Sequence, residues 1–114
     1  ELPSGRRLLY RDLREEPDGD RTILTYANAR ATRTKLYGGR LCENVIQALC
    51  RDLLSAAMLR LHAAGYRIAF HVHDEVILET RDLTGVREIT EQVPAWAAGF
   101  PIKAEGAVAE RWSK

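Results

Sequence analysis

The stretch YRIAFHVHDEVILE spans residues 66–79 and decides the fold. Its first half alternates apolar and less apolar side chains, which is typical of a half-buried strand. A second apolar run follows after three polar residues. Pairing Val72 with Val76 and Phe70 with Leu78 gathers the apolar side chains on one face, because the sides of a strand alternate. The spacing therefore predicts a β-hairpin with a three-residue loop.

The predicted loop consists of His73, Asp74 and Glu75. Two adjacent carboxylates on a rigid tip suit a hard divalent cation, which prefers oxygen ligands. Aspartate is also common in ordinary turns, because its side chain hydrogen-bonds to the local backbone. The residues alone leave both interpretations open.

The segment before the hairpin changes to helical periodicity. From Leu41 to Ala64 the apolar residues recur at a spacing near 3.6, which predicts an amphipathic helix. Gly38 and Gly39 are expected to break the chain before this helix. Gly65 is well placed to cap its C-terminus.

Shorter elements flank this centre. The sequence predicts strands at Leu8–Tyr10, Thr22–Tyr26 and Thr32–Thr34, with a turn or exposed loop at Arg14–Asp20. After the hairpin it predicts a helix at Leu83–Val93, with Asp82 as N-cap, ended by Pro94. The loop Ala95–Gly99 and a last strand at Phe100–Val108 complete the expected elements. They predict one α+β domain over residues 1–114, an antiparallel sheet with two helices on one face.

Composition sets the broad class. The 114 residues are 46% hydrophobic and 29% charged, with a net charge of +1, as in ordinary globular domains. No run approaches the ~20 apolar residues of a membrane span, and no secretory signal is visible. The chain opens with Glu1 rather than methionine, so we expect it to be cut from something longer. Cys42 and Cys50 lie eight residues apart on the predicted helix, too far for a disulfide. We expect free thiols and a cytoplasmic location.

Positive charge is concentrated in one stretch. Between Ala27 and Leu41 the charged residues are all basic, namely Arg30, Arg33, Lys35 and Arg40. Such a stretch can neutralise nucleic-acid phosphates. It can equally be a solvated strand or loop. Similarly, Gln47 near the start of the predicted helix can be a solvated residue or a ligand contact.

Taken in order, several motifs resemble a known family. LPSGR at the start, YGGRLCENVIQALCRDLL, VHDEV and VPAWAAGFPIKAEG cover nearly the whole chain. Together they resemble the C-terminal palm segment of family A DNA polymerases, in the phage and prophage branch. The resemblance implies template-directed transfer of a nucleotide from a deoxynucleoside triphosphate (dNTP) to a primer 3′ hydroxyl, assisted by two Mg²⁺ ions.

The resemblance also assigns residue roles. It implies that Asp74 binds metal, that the adjacent Glu75 helps to form the metal site, and that His73 lies near the terminal phosphate of the primer. Gln47 matches a palm glutamine that contacts the minor groove. The implied partners are primer–template DNA, dNTP and the remaining polymerase domains. In the cellular branch an asparagine lies four residues before that glutamine, whereas here Glu43 does.

Other parts of such a polymerase have no counterpart here. The first palm motif with its second metal-binding aspartate, the fingers helix and the thumb are not recognisable among the 114 residues. We therefore expect the isolated chain to be inactive. Two other classes stay open from the residues. One is a metal-dependent nuclease or phosphohydrolase using His71, His73, Asp74 and Glu75. The other is a non-catalytic nucleic-acid-binding module.

Overall fold

A computed structural model describes residues 1–112 of the chain. The described elements, in chain order, are β1 (Arg11–Asp18), β2 (Arg21–Ala27), β3 (Arg33–Leu36), α1 (Gly38–Ala63), β4 (Ile68–Val72), β5 (Glu75–Leu78), α2 (Val86–Glu91) and a short 3₁₀ helix (Ala95–Ala97). The predicted α+β class with antiparallel pairing is confirmed. The described strands form two sheets, one of three strands and one of two, rather than one sheet.

The residues divide into two compact units, one of residues 1–49 and one that begins at Cys50. The first contains β1, β2 and β3, and the second contains β4, β5 and α2. The boundary falls within α1. The assignment of residues 1–114 to one palm domain stays a prediction.

The first sheet has the strand order β1-β2-β3, with both pairs antiparallel. Two predictions in this region were wrong. No strand forms at Leu8–Tyr10, and the predicted loop Arg14–Asp20 is strand as far as Asp18. The β1 strand lies at the edge of the sheet and is largely exposed, so it carries few apolar residues. Pro17 is compatible with this position. Proline has no backbone N–H, and on an edge strand the backbone nitrogen can face solvent instead of a neighbouring strand.

The predicted strands Thr22–Tyr26 and Thr32–Thr34 are found with shifted ends. The first lies within β2, and the second corresponds to β3, which begins at Arg33. Thr25 on β2 is buried although it is polar. Its backbone and hydroxyl oxygens therefore require partners from neighbouring residues.

Helix α1 is the longest element, with 26 residues. It begins at Gly38, so the predicted break at Gly38 and Gly39 was wrong. The Leu41 N–H donates to Tyr37 O at 2.9 Å, which is the first turn of the helix. Glycine is compatible with this position, because it is among the residues that helix N-termini accept. Cys42 and Cys50 are both free and exposed, which confirms that they form no disulfide.

The predicted cap at Gly65 is confirmed. Gly65 has φ 90°, its N–H donates to His62 O, and the Tyr66 N–H donates to Leu61 O, both at 3.0 Å. These two bonds form a Schellman motif, which needs a left-handed residue after the helix. The cap ends α1 immediately before the chain enters β4.

The second unit has an apolar stripe on α1. Leu53, Ala57 and Leu61 are buried, at intervals of four residues along one face of the helix. Leu61 is 1% exposed, and Leu59, two residues earlier, is 71% exposed. The apolar periodicity therefore identifies the buried face of the helix.

The β4–β5 hairpin exists as predicted, but its register differs by one residue. The paired residues are Ile68 with Leu78, Phe70 with Ile77, His71 with Val76, and Val72 with Glu75. An irregularity between Ile68 and Phe70 places Ala69 as an extra residue on β4. The predicted pairing of Val72 with Val76 and of Phe70 with Leu78 was therefore wrong. Glu75 is the first residue of β5, so the loop has two residues instead of three.

The region after the hairpin is less regular than predicted. Helix α2 is short and begins after Gly85, which has φ 81°, so Asp82 is not its N-cap. The Asp82 carboxylate instead accepts the Thr84 N–H at 2.8 Å. Hydrogen bonding from the Thr84 side chain, and secondarily from its backbone N–H, lowers the pKa of Asp82. Phe100–Val108 contains no strand. Within this segment the Ala104 N–H donates a hydrogen bond to the Glu91 carboxylate. This bond lowers the pKa of Glu91.

Within residues 1–112, no helix combines the length and the apolar character that crossing a bilayer requires.

The buried stripe on α1 gives a stability prediction. Replacing Leu61 with alanine should lower the free energy of unfolding by about 2–5 kcal/mol, because it leaves a cavity in the core. Replacing the exposed Leu59 with alanine should change it by less than ~0.5 kcal/mol. Urea unfolding of both variants measures the difference. Equal effects of the two substitutions would contradict the described burial of this helix face.

Candidate functional site

The tip of the β4–β5 hairpin consists of His73 and Asp74, with Glu75 at the start of β5. All three residues are exposed. His73 has φ 51°, in the left-handed region that non-glycine residues adopt rarely. Two-residue hairpin loops commonly use such a positive φ, because the backbone twist then matches that of the strands. Asp74 therefore lies at the apex, and Glu75 lies on the strand ladder.

A tryptophan near the end of the described chain contacts this tip. The Trp112 indole N–H donates to Glu75 Oε2 at 3.3 Å. Its ring lies edge-on to Phe70, with centroids 5.9 Å apart and planes at 80°. Phe70 pairs with Ile77, and Glu75 pairs with Val72. Phe70 and Glu75 therefore share one face of the hairpin, because paired residues lie on the same face and every second residue of a strand does so too. The sequence interpretation missed Trp112; the available signal was a large aromatic residue within a polar terminal segment.

His71 lies on the other face of the hairpin from Glu75. The Arg51 guanidinium lies beside it, with Nη1 3.3 Å from Nδ1 and Nη2 3.4 Å from Nε2 of the imidazole. The nuclease alternative requires His71, His73, Asp74 and Glu75 to converge on a metal. Residues 1–112 contain no group of three or more His, Cys, Asp or Glu side chains that could hold a metal ion.

Two adjacent, exposed carboxylates have the donor chemistry that a magnesium ion prefers. Mg²⁺ usually keeps several waters and takes one or two carboxylates together with substrate phosphates. Asp74 and Glu75 supply hard oxygen donors of this kind, and one Glu75 oxygen already accepts the Trp112 N–H. The tip thus suits an ion whose remaining ligands come from elsewhere, and it does not form a closed protein cage.

The predicted DNA-binding residues lie in the first unit. Two of them, Arg33 and Lys35, are engaged by acids of β1. Arg33 Nη1 lies 3.0 Å from Asp12 Oδ2, and Lys35 Nζ lies 2.7 Å from Asp18 Oδ2. The stretch is free of acids in sequence, but the sheet brings β1 acids against it. The DNA-binding role of these two residues stays a prediction.

Arg33 makes further contacts that tie the sheet together. Its Nη2 donates to both the backbone oxygen and the hydroxyl of the buried Thr25. Its Nε lies 3.4 Å from Glu16 Oε1, close enough for charge attraction but without hydrogen-bond geometry. Arg33 therefore satisfies the buried polar groups of β2 noted above.

Arg30 and Arg40 differ from that pair. Arg30 lies in the exposed loop between Asn28 and Thr32, and within residues 1–112 its side chain makes no ion pair. Arg40 is half-buried, with Cζ 5.6 Å from the centroid of the Tyr37 ring. Arg30 thus presents a full positive charge to solvent, whereas the Arg40 charge lies against an aromatic face.

Gln47 is exposed on α1, and its amide donates to Glu43 Oε1 at 3.2 Å. Asn44, one turn before Ala48, donates to the Tyr10 hydroxyl at 3.1 Å. The Gln47 side chain is therefore held by a weak surface contact, whereas the Asn44 amide is occupied within the first unit. The minor-groove role of Gln47 stays a prediction.

Comparison with known proteins gives one curated relative. The chain is 38% identical over 124 residues to a protein of Bacillus phage SP02 named DNA polymerase. That alignment covers 100% of this chain and 19% of the phage protein. No protein-family model matches the chain, and no solved structure matches it. The sequence similarity thus relates the whole chain to about a fifth of a phage DNA polymerase.

The contacts of the basic stretch predict different roles for two arginines in stability. Arg33→Ala should lower the free energy of unfolding by about 1–3 kcal/mol, because it removes the guanidinium donor to the backbone and hydroxyl oxygens of buried Thr25. Arg30→Ala should change it by less than ~0.5 kcal/mol, because that side chain is exposed and makes no ion pair with the described residues. Chemical unfolding of both variants tests this. If Arg33→Ala unfolds like the parent chain, Arg33 does not stabilise the sheet.

Proposed function

We propose that these residues are the C-terminal part of the palm of a family A DNA polymerase. The observation that carries the proposal is the 38% identity to a phage protein named DNA polymerase, extending over the entire chain. The hairpin supports it, because it presents two adjacent carboxylates at an exposed tip on paired strands. The reaction is template-directed transfer of a nucleotide from dNTP to a primer 3′ hydroxyl.

Asp74 is proposed as a ligand of Mg²⁺. Within residues 1–112 its carboxylate makes no hydrogen bond or ion pair, so no protein contact has to be broken for it to bind a cation. When bound, paired metal ions stabilise the attacking and leaving oxygens of an in-line phosphoryl displacement. Asp74 contributes a negative, oxygen-donating group from a tip that paired strands hold in place.

Glu75 and His73 are proposed in supporting roles. Glu75 lies on the strand beside Asp74, so its carboxylate helps to form the metal site from one side. His73 is exposed and adjacent to the apex, where it can donate to a primer phosphate. Both assignments follow the resemblance of VHDEV to the polymerase motif, and the exposure of the tip supports them.

The DNA surface is proposed to include Gln47 and the basic residues of the first unit. Gln47 is exposed and carries both a donor and an acceptor, as a contact to minor-groove base edges requires. Arg30 and Arg40 supply positive charge to phosphates, whereas the charges of Arg33 and Lys35 are largely balanced by β1 acids. Phosphate contacts position the duplex without reading its sequence.

Catalysis is proposed to require the complete polymerase. The 114 residues lack a recognisable first palm motif and fingers helix, which supply the second aspartate and the triphosphate contacts in this family. The isolated chain therefore should not extend a primer. Polymerase activity is therefore to be measured on the full natural chain that carries these residues.

Salt dependence tests the DNA surface. In the full natural chain, Arg30→Ala should reduce the slope of log affinity against log salt by about 0.9, the value for one lost phosphate contact. Lys35→Ala should change the slope less, because Asp18 already balances that charge. Fluorescence anisotropy with a labelled primer–template at several salt concentrations measures both slopes. A larger change for Lys35→Ala than for Arg30→Ala would contradict the assignment.

Substitution at the tip tests the catalytic assignment. Asp74→Asn should slow nucleotide incorporation by about a thousandfold or more, since losing ~4 kcal/mol of transition-state stabilisation has this effect. Asparagine is nearly isosteric but lacks the negative charge that holds the divalent ion. Glu75→Gln should slow it less, because that residue supports the site. Single-turnover incorporation with Mg²⁺ on a primed template gives the two rates.

The control is DNA affinity, measured on the same variants. It should stay close to that of the parent protein, because the exposed tip contributes little to packing. If Asp74→Asn incorporates nucleotides at nearly the normal rate, the tip is an ordinary turn and the polymerase assignment of these residues fails.

A further inference from the structure

The Trp112–Glu75 contact joins residues that are 37 positions apart in the chain. It consists of one N–H···O bond and one edge-on ring contact with Phe70. Trp112 remains 45% exposed, so it buries only part of its apolar surface against the hairpin. The contact therefore adds little hydrophobic stabilisation, but it fixes where a carboxylate of the tip lies.

An exposed glutamate ordinarily samples many rotamers, and ordering it costs conformational entropy. Here one oxygen, Oε2, accepts the indole N–H, while the ring of Trp112 is held in turn by Phe70. Phe70 lies on the same hairpin face as Glu75. The geometry thus restricts the Glu75 side chain before any ligand binds.

We propose that Trp112 is a positioning residue for Glu75, which it holds ready to take part in binding a divalent cation beside Asp74. This inference rests on the proposed function and adds a residue to it. The indole N–H is neutral, so it orients the carboxylate without cancelling its charge. The second oxygen, Oε1, stays available to the cation or to a water bound to it. Outer-shell donors act on metal ligands in this way.

The test uses Tb³⁺, a hard cation that takes oxygen ligands and whose luminescence is excited by a nearby indole. Tb³⁺ is titrated into the full natural chain that carries these residues. Trp112→Phe keeps a ring against Phe70 and removes the N–H. It should weaken Tb³⁺ binding by about threefold to tenfold, at or below the lower end for outer-shell partners. It should also reduce the indole-sensitised emission.

Trp96→Phe is the matched control, because Trp96 lies in the 3₁₀ helix rather than at the tip. It should leave the Tb³⁺ affinity within about twofold, as expected for a residue without contact to the site. Glu75→Gln provides the second side of a double-mutant cycle. In that background, Trp112→Phe should have no further effect on affinity. Phe70→Leu, which loosens the ring anchor but keeps the N–H, should weaken binding in the same direction by a smaller factor.

The inference is overturned if Trp112→Phe and Trp96→Phe have equal effects. It is also overturned if Trp112→Phe weakens binding equally with and without Glu75, or if the parent chain binds no Tb³⁺. Primer extension by the same preparations separates the two proposals. If the full natural chain without substitutions binds Tb³⁺ but extends no primer, the polymerase function is contradicted. The double-mutant cycle measured with Tb³⁺ still decides the role of Trp112. An active enzyme with equal tryptophan effects contradicts only the positioning role.

Discussion

The two-residue turn of His73 and Asp74 determines how the carboxylates of the hairpin are presented. A loop of this length requires an unusual backbone conformation, which His73 supplies with φ 51°. Because the loop ends at Asp74, Glu75 pairs with Val72 and its direction is set by the alternation of the strand. It therefore lies on the face that carries Phe70 and Trp112. A loop one residue longer would release Glu75 from the ladder and from that face.

Electrostatics in the first unit depend on strand order rather than on sequence order. The acids of β1 are separated from the basic stretch in the sequence, yet Asp12 and Asp18 pair with Arg33 and Lys35. Exposed ion pairs of this kind each contribute only ~0–1 kcal/mol to stability. Their main consequence is electrostatic, since they reduce the positive charge that this surface would present to DNA phosphates. Arg30, at the tip of its loop, keeps that charge in full.

Periodicity predicted the elements that bury a face or end at a glycine, such as α1 with its Gly65 cap, the strand at Thr22–Tyr26, and the hairpin itself. It failed for β1, because an exposed edge strand has no need of apolar alternation. It failed again at Phe100–Val108, which is not a strand in the structure. The hairpin register depended on where the turn ends, and the bulge near Ala69 shifts it again between Phe70 and Ile68; no local pattern indicates either feature. The carboxylates of the candidate site were predicted from sequence and stay a prediction, whereas Trp112 was missed, because its contact with Glu75 is non-local.

The two neighbouring carboxylates differ in a way that their adjacency in sequence does not suggest. Asp74 has a short side chain at the apex, with no partner within residues 1–112. Glu75 has a longer side chain on a strand, and one of its oxygens is engaged by the Trp112 indole. A carboxylate without partners loses only its water on binding a cation, while an engaged one must share an oxygen or use the other. This asymmetry is compatible with the proposed direct metal binding by Asp74 and the proposed supporting role of Glu75, and it arises from the position at which the turn ends.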